Sequence, residues 1–275
     1  MKRVIKERMK KKKRVEKKVS RRVLREFPMF VPNSYGSANA RATLTAVAAE
    51  QSILHLSRLL SYAGATEQIS IVGAQDLATT PRQREAAATL EKLFSKHGSD
   101  KSSVHDYHHV YGALLDEPQR LETIVEIGIG TNNPSLVSTM GAGGKPGASL
   151  RAFAEYASRA RIIGADVDKD ILFSEGRIET VFVDQTDCAS FSGIETLLAG
   201  PCDLVIDDGL HAPNANLATL LFALPCLKPD GWCVIEDIAK ASLPLWQVVG
   251  KILKPMCVAY IVEARDGYLF CCKKR

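Results

Sequence analysis

The feature that most constrains this chain is an alternation that begins near residue 121. Short β-rich apolar runs occur at Thr123–Ile127, Arg161–Asp166, Ile178–Val183, Asp203–Asp207, Trp232–Glu236, Met256–Glu263 and Tyr268–Cys272. Segments with helical spacing lie between the first five, near 149–159, 167–173, 189–198 and 214–227, and another, 243–253, follows the fifth. Strands alternating with helices predict a parallel sheet with right-handed crossovers. The last two runs are joined by Arg265-Asp266-Gly267, and Asp-Gly between β-rich runs is a hairpin signal. The expected fold is α/β: a doubly wound, Rossmann-like, seven-stranded sheet, its parallel strands closed by an antiparallel C-terminal hairpin, with a helical N-terminal extension.

The extension has a different character. Residues 1–27 hold fourteen Lys/Arg and three Glu, a net of +11, whereas the remainder holds 22 Lys/Arg and 28 acids, a net of −6. Val15, Val19, Val23 and Phe27 recur every four residues, and Ile5 and Met9 continue the stripe. A basic amphipathic helix is predicted there, with an anionic membrane surface as candidate partner. Pro28, Pro32, Asn33 and Gly36 mark a linker. Residues 38–63 have helical spacing with Gly64 as a stop, 69–73 form a candidate strand, and Thr80-Pro81 opens a helix over 81–96. The expected regions are a tail and linker at 1–33, a mainly helical region at 34–97 and the α/β domain at 98–275.

Composition excludes several classes. With 46% hydrophobic and 24% charged residues over 275, the chain is neither collagen-like, nor fully disordered, nor a disulfide miniprotein. Apolar runs such as Leu217–Leu227 stop well short of the roughly 18–20 residues that span a bilayer. No apolar segment follows the basic start as a secretory signal requires. The seven Cys contain no C-x-x-C spacing, so a zinc ribbon is excluded and a reduced, cytoplasmic protein is expected, peripheral to the membrane if the tail docks. The mildly acidic body argues against nucleic acid as partner.

Candidate chemistry gathers where strands end. The first closes with Glu126-Ile127-Gly128-Ile129-Gly130, a Gly-rich turn that lets a cofactor approach the backbone. Residue 133 is Asn, so a strict G-x-G-x-x-G is absent. The second ends at Asp166, where a carboxylate can accept from both ribose hydroxyls; the Gly/Asn/Pro-rich insertion Thr131–Gly147 explains the long spacing. The third ends Val183-Asp184-Gln185, placing acceptors where an adenine amino group needs them. The fourth ends Ile206-Asp207-Asp208-Gly209-Leu210-His211 and the fifth Glu236-Asp237. Asp207 and Asp208 must point in opposite directions. Strands lie about 4.8 Å apart, so Asp208 and an acid at 236 or 237 can share one hard cation. No Lys or Arg adjoins Asp208 or Asp237 in sequence to neutralise them.

E-x-G-x-G resembles motif I of S-adenosylmethionine (SAM) methyltransferases, and the strand layout resembles their class I fold. Gly147-Ala148-Ser149-Leu150-Arg151, Asp184-Gln185-Thr186-Asp187, Ile206–His211 and Glu236-Asp237, in this order, resemble the macrolide-sugar O-methyltransferases of the mycinamicin and macrocin type. Gly98-Ser99-Asp100-Lys101 with His105 and Tyr107 resembles that family's G-T-D-K…H-x-Y segment. The similarity covers roughly 94–240. Leu210, Ser99 and the 131–147 insertion depart from the pattern, and the insertion puts the substrate in question.

The resemblance implies SAM as methyl donor, Mg²⁺ as bound cation, and the His after D-D-G, here His211, as base. SAM is expected across Glu126, Gly128, Gly130, Asp166, Asp184 and Gln185, with Asp207 on the cofactor side and Ser149 and Arg151 able to bind its carboxylate or an acidic acceptor. Asp208 and Asp237, with Glu236 as a further candidate, are expected to hold the cation. The acceptor is expected to be a hydroxyl on a sugar, glycan or glycosylated metabolite; a homo-oligomer is compatible with this. The alternatives are an RNA methyltransferase anchored by the basic tail, and a non-catalytic nucleotide-binding module or NAD oxidoreductase. Asn133 and the Asp208/His211/Asp237 group argue against the last two.

Overall fold

The computed structural model describes residues 2–34, 36–62 and 68–275, so the helix stop expected at Gly64 lies outside the described residues. Two compact units divide the chain, Met1–Glu67 and Gln68–Arg275. In the first, α1 (Lys2–Glu26) and α2 (Ala38–Tyr62) pack together on either side of a 3-10 turn at Pro28–Phe30. Ser20 Oγ bonds Asn39 Oδ1 at 3.1 Å across the pair. Val15, Val19 and Phe27 stay exposed. No helix among the described residues is long and apolar enough to cross a membrane.

In the second unit, β1 (Ile71–Gly73) precedes α3 (Pro81–His97), α4 (Asp100–Ser103) and α5 (Tyr107–Leu114). Then follow β2 (Thr123–Ile127), α6 (Ala148–Tyr156), β3 (Arg161–Asp166), β4 (Ser174–Glu175), β5 (Ile178–Phe182), α7 (Ser192–Glu195), β6 (Cys202–Asp207), α8 (Pro213–Cys226), β7 (Leu227–Ile238), α9 (Leu243–Leu253), β8 (Cys257–Glu263) and β9 (Tyr268–Lys274). The sheet has nine strands rather than seven, in the order β1-β8-β9-β7-β6-β2-β3-β5-β4. The two extra strands are short edge additions: β1 pairs parallel with β8, and β4 antiparallel with β5. The inner seven are those expected. β2, β3, β5, β6 and β7 run parallel, and β9 inserts antiparallel between β7 and β8.

Side chains alternate across the pleat, so each central strand feeds two cores. Ile124, Ile162, Leu204 and Val234 meet Leu90, Phe94, Tyr111, Leu150 and Phe153 on one face. Val125, Ile163, Val205 and Cys233 meet Phe222, Trp246 and Leu253 on the other. Burial on both faces is why β2 reads as an apolar run. α3 packs against α5 and α6, and so belongs to the same unit as the sheet. The boundary expected at 97/98 therefore falls inside that unit.

The chain runs outward from β2 through β3 to β5, then returns to β6 on β2's other side. That reversal opens a crevice between the ends of β2 and β6, where an open α/β sheet places its ligands. The Asp208 amide donates to the Ile127 carbonyl at 2.8 Å across it.

Candidate active site

A cavity of about 660 Å³ opens at this crevice. Its walls include Gly128, Gly130, Asp166, Asp184, Gln185, Asp208, His211 and Asp237. The insertion lines the same cavity with Leu136–Met140 and Gly143–Lys145. Glu126, Arg151 and Asp207 do not line it.

Glycine is required in the first turn for reasons the backbone makes plain. Gly128 has φ +89°, and a Cβ there would lie 2.1 Å from the Asp208 carbonyl oxygen. The close approach is thus to the neighbouring strand end. At Gly130, φ +86°, a Cβ would run into Met140 of the insertion. Asp166 closes β3 and is buried. Its Oδ2 accepts from the Ile129 amide and its Oδ1 from the Asp168 amide, both at 2.9 Å. Burial raises its carboxyl pKa, and those amides oppose the shift.

The two acids of Asp207-Asp208 separate as the pleat requires. Asp207 is fully buried and accepts from Gln185 Nε2 (2.8 Å), Asn216 Nδ2 (3.1 Å) and the Gly209 amide (3.2 Å). It fastens the loop after β6 to α8, so the cofactor-side position expected for it is taken by these donors. Gln185 also donates to Thr219 and accepts from the Leu210 amide, so its whole amide is engaged. Asp184 accepts from the Thr186 amide and hydroxyl.

A buried lysine holds the other acids together. Gly98 ends α3 in the left-handed conformation, and Ser99 caps α4 by accepting from the Lys101 amide. This tight stop and restart aims Lys101, only 2% exposed, under the sheet edge. Its Nζ donates to Asp208 Oδ2 at 2.6 Å and to Glu236 Oε2, and lies 3.3 Å from Glu126 Oε1. The absence of a neighbouring cation in sequence therefore misled: Lys101 arrives from more than a hundred residues upstream of Asp208. Burial alone would lower the lysine's pKa, but the three carboxylates outweigh it and hold it well above the ordinary value. Burial raises the carboxyls of Glu126, Asp208 and Glu236, each partly pulled back by Lys101.

Glu236, expected as a further cation candidate, lines the same cavity with both oxygens engaged by neighbours. It is buried, with one oxygen on Lys101 and the other on the Tyr111 hydroxyl. Glu126 likewise accepts from Ser149 Oγ at 2.7 Å; Ser149 lines the cavity and Glu126 does not. Arg151 pairs with Glu175, donates to the Pro146 carbonyl and stacks on Phe173.

Asp208, His211 and Asp237 line the cavity together, and their ligand atoms all lie within 4.8 Å of one another. His211 Nε2 is 4.0 Å from Asp208 Oδ1 and 3.7 Å from Asp237 Oδ2. His211 and Asp237 both adopt positive φ, 52° and 54°, a costly conformation that clusters at working sites. Asp237 Oδ1 accepts from the Tyr107 hydroxyl, and His105 Nδ1 lies 3.8 Å away. Tyr107 and Tyr111 stand one turn apart on α5 and reach Asp237 and Glu236 respectively. Burial raises both phenols well above their usual pKa. The two carboxylates suit a hard divalent cation such as Mg²⁺, for which the imidazole is not a preferred ligand.

No family model matches the chain. It is 36% identical over 160 residues to the 8-demethyl-8-alpha-L-rhamnosyl tetracenomycin-C 2'-O-methyltransferase of Streptomyces olivaceus, covering 58% of this chain and 40% of that protein. Identity is 35% over 166 residues to the demethylmacrocin O-methyltransferase of Streptomyces fradiae, covering 58% and 38%. It is 40% over 99 residues to the mycinamicin VI 2''-O-methyltransferase of Micromonospora griseorubida, covering 36% and 24%. The chain spans about two fifths or less of the length of these curated relatives. The solved structure of the MycE methyltransferase from the mycinamycin biosynthetic pathway, in complex with Mg and SAH, superposes with a TM-score of 0.55 at 25% identity, covering 68% of this chain and 55% of that one. The chain has the fold of a class I SAM-dependent methyltransferase, and its sequence resembles those of the macrolide-sugar O-methyltransferases.

Proposed function

We propose that this protein transfers a methyl group from SAM to a hydroxyl of a sugar, glycan or glycosylated small molecule, assisted by Mg²⁺. The observation that carries this reading is the convergence of Asp208, His211 and Asp237 on one cavity that also runs past Gly130 and Asp166. The cavity volume falls in the range of ligand pockets, about 300–1,000 Å³. SAM supplies an electrophilic methyl carbon, and the cation lowers the pKa of a coordinated hydroxyl.

The chain's own groups do the rest. Asp166 accepts from the ribose hydroxyls, with Asp184 at the adenine end. Asp208 and Asp237 would hold the cation. His211 takes the hydroxyl proton as the oxygen bonds to the methyl carbon and the methyl–sulfur bond breaks, its electron pair returning to sulfur to leave S-adenosylhomocysteine. A metal-ligating His normally donates its second ring nitrogen to a fixed partner. His211 Nδ1 has none among the described residues, which favours the base over a third ligand. Calorimetry with SAM and NAD, followed by labelled-SAM assays on hydroxylated acceptors, tests the reading. SAM binding that survives EDTA, with turnover lost and restored by Mg²⁺, is the expected result. Tight NAD binding without SAM binding would refute it.

The same proposal extends to the tail. α1 bears all of the +11 charge of residues 1–27, and each cation near an anionic leaflet contributes about 1 kcal/mol. With Val15, Val19 and Phe27 exposed, it suits docking on an anionic membrane, with the enzyme cytoplasmic and peripheral. Deleting residues 1–27 should abolish sedimentation with anionic liposomes and leave turnover on a soluble acceptor intact.

A further inference from the structure

Each of the two acids that face His211 has one oxygen tied and one free. Asp208 Oδ2 accepts from Lys101 at 2.6 Å, while Oδ1 looks toward His211. Asp237 Oδ1 accepts from Tyr107, while Oδ2 looks toward the same imidazole nitrogen. The third acid nearby, Glu236, has both oxygens taken, by Lys101 and Tyr111.

Neither clamp is free to relax. Lys101 is 2% exposed and spans the ends of three adjacent strands through Glu126, Asp208 and Glu236. Tyr107 is 1% exposed and its ring stacks against His105 at 5.1 Å. A carboxylate held in this way offers a cation one oxygen, not two.

Divalent cations respond differently to that restriction. Ca²⁺ takes about six to eight oxygens and readily uses both oxygens of a carboxylate, whereas Mg²⁺ keeps several waters and needs only one or two carboxylate oxygens. Resting on the proposed cation site, we infer that Lys101 and Tyr107 are selectivity-determining positioning residues, which favour Mg²⁺ over Ca²⁺ by leaving one oxygen each on Asp208 and Asp237.

The test is calorimetric titration of the full chain with MgCl₂ and, separately, with CaCl₂, without SAM or acceptor. Wild type should bind Mg²⁺ more tightly. Tyr107→Phe deletes one oxygen atom and frees Asp237 Oδ1. Loss of such supporting partners changes metal affinity by about 10–100-fold, and the ratio of the two Kd values should move at least about tenfold toward Ca²⁺. Lys101→Met should move it in the same direction, read only if the variant melts cooperatively; Tyr107→Phe carries the test otherwise. A Tyr107→Phe ratio within about twofold of wild type, with Mg²⁺ still bound, overturns the inference and spares the cation site. Wild type that binds neither cation overturns both.

Discussion

The ends of β6 and β7 carry the same two-residue pattern, a pair of adjacent acids. In each pair one acid is spent on the framework and the other is presented to the cavity. At β6 the buried member is Asp207, satisfied by neutral donors from Gln185, Asn216 and Gly209. At β7 it is Glu236, satisfied by a charged lysine and a tyrosine. The difference follows from what lies on each side. Asp207 faces α8, where amides and hydroxyls suffice. Glu236 lies beside Asp208 and Glu126, and three carboxylates in one buried space need a cation among them. Lys101 is thus a requirement of bringing the β6 and β7 acids together at all.

The sharpest way to break this division of labour is at the shared partner of the two presented acids. His211→Ala should lower kcat by about 10²–10⁴-fold with little change in SAM affinity, because only proton transfer needs the imidazole. Metal titration of the same variant separates roles. Retained Mg²⁺ binding marks a base, whereas loss of Mg²⁺ binding in parallel with kcat marks a ligand. Near-wild-type turnover would shift the search to His105 or Tyr107, both within reach of Asp237.

A smaller effect, of a different kind, is expected from the framework acid. Asp207→Asn keeps the shape but turns an amide donor toward either Gln185 Nε2 or Asn216 Nδ2, which already donate there. The cost should be about 1–3 kcal/mol of stability, read as a lower Tm, with Mg²⁺ affinity unchanged. A loss of Mg²⁺ binding comparable to that of Asp208→Asn would erase the distinction between the two acids.

The sequence made the sheet legible because its central strands are buried on both faces and so read as mainly apolar runs, with acids only at Glu126 in β2 and at Asp203 and Asp207 in β6. The edge strand β1 falls within the candidate strand at 69–73, whereas β4 is only two residues long, too short for any period to show. α5 escaped for a similar reason: eight residues with two adjacent histidines give little periodicity. With it went the roles of Tyr107 and Tyr111, although buried tyrosines four residues apart, each needing a partner for its hydroxyl, were a usable sign. The presented acids were legible from D-D-G-x-H and E-D at strand ends. The buried cation among them was not, because Lys101 reaches Asp208 and Glu236 across more than a hundred residues of chain.

The smallest expected effect concerns Arg151, placed by sequence at the cofactor carboxylate or an acidic acceptor and by the fold outside the cavity wall. Its guanidinium bonds Glu175 at 2.9 Å with both partners partly exposed. Exposed pairs contribute about 0–1 kcal/mol, and the contact over the Phe173 ring adds a comparable amount at a half-open site. Arg151→Ala should therefore lower Tm only slightly and leave the Kd for SAM within about twofold, since a lost charged hydrogen bond to a ligand would cost roughly 1.5–3 kcal/mol, more than tenfold in affinity. SAM binding weakened by that larger factor would return Arg151 to the cofactor site. It would also mean that the turn at Pro146–Gly147, whose carbonyl Arg151 now holds, rearranges when the cavity fills.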